Sequence, residues 1–114
     1  MDTDKTRKVA VVTGSNKGIG LEIVKGLCKS FDGIVYLTAR KVENGQQAID
    51  ELKKLGLEPR FHRLDVQNME SIKEFAIYLR ETHGGLDVLV NNAGVYLYVI
   101  LDLIYKIRII LISL

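Results

Sequence analysis

The alternation of apolar runs and helical patterns along this chain predicts an α/β fold, a doubly wound parallel sheet covered by helices. Three observations carry the prediction. Val9-Ala10-Val11-Val12 is a continuous apolar run, as expected for a central strand buried on both faces. Gly14, Gly18 and Gly20 break that run at once and open a helical pattern. Strand-like and helix-like segments then keep alternating as far as Val90, with no internal repeat beyond that unit.

Taken in order, the first helix carries Ile19, Ile23, Val24, Leu27 and Cys28 on one stripe and ends near Asp32-Gly33. Ile34 to Leu37 reads as the second strand. A helix from about Glu43 to Leu55 follows, with Ala48, Ile49, Leu52 and Leu55 facing inward and Gly56 as its stop. The third strand comes after Pro59 and covers about Arg60 to Leu64. Asn68 reads as an N-cap, and Ile72, Phe75, Ala76 and Leu79 recur at i, i+3, i+4 and i+7 until Gly84-Gly85 ends the helix. Leu86 to Val90 is the fourth strand. Tyr78, His83 and His62 have no assignable partners in the sequence and read as structural.

The totals narrow the function classes. With 114 residues there is room for one domain, and 47% hydrophobic with 26% charged residues removes the disordered and fibrous classes. A net charge of +2 from scattered Lys and Arg does not point to a nucleic-acid or membrane partner. The single Cys28 lies in an apolar helical pattern and reads as a small core hydrophobe, which fits a reducing, cytoplasmic setting. The charged N-terminus runs straight into a strand, unlike a usual secretory signal. Val95 to Leu114 is apolar enough to suggest a membrane span. Asp102, Lys106 and Arg108 sit in its middle, however, each costing about 2.5–3.5 kcal/mol at a helix centre, so no span is expected.

The chemistry is concentrated where the first strand meets the first helix. Thr13-Gly14-Ser15-Asn16-Lys17-Gly18-Ile19-Gly20 offers small residues that let a backbone approach a pyrophosphate, and a helix start with free N–H groups and a positive dipole end. A plain strand-to-helix turn would need one glycine, not three. The expected ligand is therefore a dinucleotide, bound by Gly14, Ser15, Asn16, Lys17, Gly18, Ile19 and Gly20 on a Rossmann-type sheet.

Three residues separate Gly14 from Gly18, and Asn91-Asn92-Ala93-Gly94 follows the fourth strand. Together with Leu37-Thr38-Ala39-Arg40, Pro59-Arg60-Phe61-His62, Leu64-Asp65 and Gly84 to Val90, this pattern resembles the short-chain dehydrogenase/reductase family, in particular its monomeric NADPH-dependent carbonyl reductases, over about residues 8 to 95. The resemblance implies that Asp65 and Val66 bracket an adenine ring, and that Asn92, Ala93 and Gly94 lie along the nicotinamide-side ribose. In NAD-preferring sites an acid near the end of the second strand accepts the adenosine ribose hydroxyls. Here that place reads Thr38-Ala39-Arg40-Lys41, with no acid. Arg40 can fork to a 2′-phosphate and Lys17 supplies a second cation, so NADPH is expected over NADH.

The same resemblance implies a catalytic serine, and a tyrosine with a lysine four positions later, all beyond Asn-Asn-Ala-Gly. After Gly94 the tyrosines are Tyr96, Tyr98 and Tyr105, followed at that distance by Ile100, Asp102 and Ile109. No catalytic residue and no metal ligand is therefore assigned. A six-stranded sheet at roughly 30 residues per step needs about 180 residues, so the expected architecture stops after the fourth strand, in the order 3-2-1-4. The expected division is a cofactor-binding half-domain at 1–94 and a divergent hydrophobic tail at 95–114, which suggests an alternative or truncated transcript. Ile100, Leu103, Ile104 and Ile107 fit a helical face, whereas Lys106 to Leu114 fits a strand, and periodicity does not choose. Without cover from that tail the fourth strand would be an open edge. Three readings follow: an NADPH-dependent reductase of aldehydes or ketones that acts on a carbonyl substrate only if the missing half is supplied, a non-catalytic NADPH-binding or interaction module, and a folding fragment.

Overall fold

A computed structural model of the chain describes residues 3–92, Leu97 and residues 110–113. Five strands among them form one parallel sheet in the order β3-β2-β1-β4-β5. The strands are β1 (Lys8–Val12), β2 (Gly33–Ala39), β3 (Arg60–Arg63), β4 (Val88–Asn91) and β5 (Ile110–Ser113), and the helices α1 (Gly18–Ser30), α2 (Val42–Lys54) and α3 (Met69–His83). The predicted order of the first four strands holds. The tail, left open by its periodicity, contributes the fifth: Ile110 to Ser113 runs beside Val88 to Asn91 and covers the edge of β4.

Alternating side chains divide the sheet into two cores. Val12, Val35, Leu37 and Val90 pack with Val24 of α1 and Ala48, Ile49 and Leu52 of α2 on one face. Val9, Val11, Ile34, Tyr36 and Leu89 pack with Ile72, Phe75, Ala76 and Leu79 of α3, and with Leu97, on the other. The chain steps outward from β1 to β3 through α1 and α2, then returns through α3 to lay β4 on the far side of β1. Right-handed crossovers put the returning helix on the opposite face. In sheets of this kind, ligands bind outside the carboxyl ends of the strands at such a reversal.

Helix ends follow local chemistry. Asn68 caps α3 by accepting a hydrogen bond from Ser71 N–H (3.0 Å), and Gly84 ends it in the left-handed region at φ 78°. Two expected core positions turn outward. Leu55 is 62% exposed, because the N–H groups of Leu55 and Gly56 bond back to Leu52 and Lys53 (3.0 and 2.9 Å), tightening the last turn of α2; Leu57 packs against the core instead. Ile19 is 70% exposed, since it sits in the first turn of α1, beyond the ground the sheet covers. Cys28 is half-buried against the α1 side, and burial pushes its thiol pKa up.

Candidate functional site

The site is built on four loops at the carboxyl ends of the strands, and hydrogen bonds tie each loop to the next. Thr13 N–H donates to Val90 O (3.0 Å), while Thr13 Oγ1 accepts from Asn92 N–H (2.9 Å) and reaches Asn91 Oδ1 (3.2 Å). Those contacts join the glycine loop to the segment after β4. Ser15 joins it to β2, its N–H donating to Thr38 O (2.9 Å) and its hydroxyl accepting from Thr38 N–H (3.0 Å). Ala39 O in turn accepts from Leu64 N–H (2.9 Å), which ties the start of the Arg40 loop to the start of the Asp65 loop.

Within this frame the glycine loop is open. Gly14 and Gly18 adopt φ 56° and 63°, the left-handed region that disfavours side chains, and no atom lies within 4 Å of where their Cβ would stand. Gly20 has the opposite constraint: its Cβ would lie 2.8 Å from Gly14 O and from Ser15 Cα, so the absence of a side chain is what lets α1 close onto the loop. Unlike α3, α1 has no side-chain cap; Lys17 stands at its N-cap and its first turn holds no acid. Its leading N–H groups and positive dipole end thus remain available to an anion. Small residues, open space and free donors fit a pyrophosphate.

Lys17 is exposed and, with Asn16, Gly18, Asn44 and Gln47, lines a cleft of about 320 Å³ between α1 and α2. Arg40 is exposed directly after β2. No acid occupies the end of β2. Asp65 accepts Gln67 N–H at Oδ1 (3.0 Å), closing a turn of the Asx type, and its own N–H donates to Ser71 Oγ (2.8 Å). Val66 is half-buried against the α3-side core. Of the expected site residues, the structure brings Gly14 to Gly20, Arg40, Asp65, Val66 and Asn92 to one edge of the sheet; Ala93 and Gly94 lie outside the described residues. Ser15 differs from its neighbours, because its side chain is buried and its hydroxyl is engaged by the protein itself.

Sequence reasoning passed over Thr13, Thr38 and Asn91, which are buried and bind main chain or one another. A signal was present: each is a polar residue closing an apolar strand, at a place where a core side chain would otherwise stand. It also missed a second polar network at the opposite edge. Tyr36 OH lies 2.6 Å from Tyr78 OH and 2.8 Å from His83 Nε2, while His83 Nδ1 is 3.0 Å from Asp4 O. A carbonyl can only accept, so Nδ1 carries a proton. Arg60 forks onto the Asp4 carboxylate at 2.9 and 3.0 Å and, by that hydrogen bond first, holds its pKa below the ordinary value. Burial and the Tyr78 hydrogen bond push the Tyr36 pKa upward. Tyr78, His83 and His62, whose ring packs against Tyr78 at 4.5 Å with the planes tilted by 43°, are thus structural, but with definite partners.

A family model described as short chain dehydrogenase matches residues 8–104. The chain belongs to this family. Its match extends ten residues past Gly94, farther than the motifs alone suggested. Human carbonyl reductase [NADPH] 1 is 58% identical over 87 residues, covering 76% of this chain and 31% of that protein. Human carbonyl reductase [NADPH] 3 is 53% identical over 88 residues, covering 77% and 32%. Among solved structures, salutaridine reductase from Papaver somniferum superposes with a TM-score of 0.71 at 44% identity, over 77% of this chain and 30% of that one. A metagenomic short-chain oxidoreductase in complex with NADP gives 0.65 at 42%, over 76% and 39%. The chain therefore spans about a third of the length of these short-chain dehydrogenase relatives. Among the described residues no helix is long and apolar enough to cross a membrane, and no cluster of His, Cys, Asp or Glu is placed to hold a metal.

Proposed function

We propose that residues 1–94 are the NADPH-binding half of a carbonyl reductase, and that 95–114 form a tail whose end adds an edge strand to the same sheet. The observation that carries this reading is the open glycine loop at an uncapped helix start, with Lys17 at that start, Arg40 directly after β2 and no acid at the end of β2. The names of the human carbonyl reductases [NADPH] that the chain resembles point the same way. The loop amides would hold the pyrophosphate, and Lys17 and Arg40 the 2′-phosphate. Asp65 and Val66 would flank the adenine, and Asn92, Ala93 and Gly94 the second ribose. NADPH, when bound, supplies hydride for reduction of an aldehyde or ketone.

The 114 residues contain no tyrosine followed four positions later by lysine, so the donor that must protonate the developing alkoxide is not provided. We therefore read this chain as a cytoplasmic binder of NADPH that handles a carbonyl substrate only when such groups come from elsewhere, with neither nucleic acid nor membrane as partner. Titration of the chain with NADPH and NADH tests the reading. NADPH binds more tightly, and Arg40→Ala lowers its affinity about 10- to 100-fold while leaving NADH unchanged, as loss of a charged hydrogen-bonding group predicts. A reactive dicarbonyl added to the complex leaves the nicotinamide absorbance constant. Equal affinities, or turnover, would overturn the proposal.

A further inference from the structure

A serine in a ligand-facing loop would be exposed if its hydroxyl served the ligand, yet Ser15 is fully buried. Its hydroxyl donates to Val12 O (2.8 Å), with a longer contact to Thr38 O (3.4 Å), and accepts from Thr38 N–H (3.0 Å). Its own N–H donates to Thr38 O (2.9 Å). Both main-chain groups of Thr38 are thereby committed to one residue of the glycine loop. The β1–β2 register ends at the pair Val12 and Leu37, so Ser15 carries the pairing of β2 one residue farther than β1 itself does. Thr38 contributes to the same joint by donating its hydroxyl to Val12 O (2.9 Å).

The spacing gives this joint a consequence. Ser15 stands two residues before Lys17, and Thr38 two residues before Arg40. The Ser15–Thr38 joint, made by the Ser15 main chain and completed by its hydroxyl, therefore sets the separation of the two main-chain segments from which both cations project. We infer that Ser15 is a positioning residue for recognition of an adenosine 2′-phosphate: its hydroxyl staples the glycine loop to the end of β2 and so fixes the base of Arg40 relative to that of Lys17. The inference rests on reading the site as an NADPH site. It goes beyond that reading by assigning selectivity to a side chain that touches no ligand. With alanine at this position the buried Thr38 N–H loses its acceptor, and the end of β2 shifts to find another. A nucleotide without the 2′-phosphate does not require the two cations to be set apart correctly, so it registers the shift far less.

The test compares adenosine 2′,5′-bisphosphate with adenosine 5′-monophosphate on the full 114-residue chain, by calorimetric titration. The wild-type chain prefers the bisphosphate, Ser15→Ala loses roughly five- to tenfold of that preference, and Ser15→Thr, which keeps the hydroxyl, restores it. Amide exchange on the wild-type chain gives a readout that needs no variant. By linkage, the bisphosphate raises protection of the Thr38 amide above the level reached with the monophosphate. A Ser15→Ala chain that weakens both ligands equally, or equal Thr38 protection with both, overturns the staple and leaves the NADPH reading standing. A wild-type chain that binds neither nucleotide, or shows no preference, overturns both.

Discussion

The two ends of the sheet each bury a polar network, and the networks are built differently. At the carboxyl edge Thr13, Ser15 and Thr38 spend their side chains mainly on main-chain groups of neighbouring loops, which holds those loops still while glycine and helix-start amides stay open. At the amino edge Asp4, Tyr36, Arg60, Tyr78 and His83 satisfy one another, side chain to side chain or across one carbonyl. A network closed on itself leaves no group for a ligand. It instead clamps the turn Thr3–Lys5 that precedes β1 against α3 and the edge strand β3. Buried polar residues thus accompany the candidate site in this protein where they fix backbone around open donors.

The contrast can be broken first at Gly20. Any Cβ there meets backbone of Gly14 and Ser15 at 2.8 Å, so the loop itself must shift to admit it. Gly20→Ala is expected to cost about 1–3 kcal/mol in chemical denaturation and to abolish NADPH binding, because the loop moves. Retained affinity would show that the loop tolerates displacement and that its geometry is not the binding element.

Tyr36→Phe probes the other end. It strips the central hydroxyl from His83 and Tyr78 inside the core, with an expected loss of about 1–3 kcal/mol of stability. NADPH affinity measured below the unfolding transition should stay within about twofold, since the Tyr36 hydroxyl network lies at the opposite edge of the sheet and shares no hydrogen-bond partner with the glycine loop. A large loss of affinity in the folded variant would mean that the two networks are coupled through β2.

The smallest effect is expected at Asp4. Its folded-state pKa lies below the ordinary carboxyl value of 3.8, so the unfolded chain binds the proton more readily. The resulting stabilisation is complete above that value and fades as pH falls through the depressed folded pKa. Asp4→Asn should therefore lower the urea midpoint slightly at pH 7, and the difference from wild type should shrink steadily as pH falls through the depressed folded pKa. A difference that grows toward acid would contradict the Asp4–Arg60 pair as its origin. The pair is partly exposed, so it contributes little beyond fixing the turn.

Much of the site could be read before any coordinates. The glycine spacing, the missing acid after β2 and the cations Lys17 and Arg40 are local features, and the structure places them at one edge of the sheet. Ser15 was legible as a loop residue but not as an inward-facing one. Its partner Thr38 is 23 residues away, and nothing in the spacing of the loop announces the contact. His83 and Asp4, 79 residues apart, are a more distant case of the same kind.

The sequence by itself determined the strand and helix alternation, and with it the fold class that orders the first four strands, the capping of α3 and the charge at the glycine-loop edge. These depend on periodicity, turn chemistry and residue type within short windows. Only the tertiary structure decided that the tail returns as a parallel strand beside β4, that Leu55 and Ile19 leave the core, and which buried hydroxyls meet which main-chain groups. The physical reason is that a hydrogen bond between distant segments exists only after the sheet has brought them together, and a polar residue carries no periodic mark of the partner it will find.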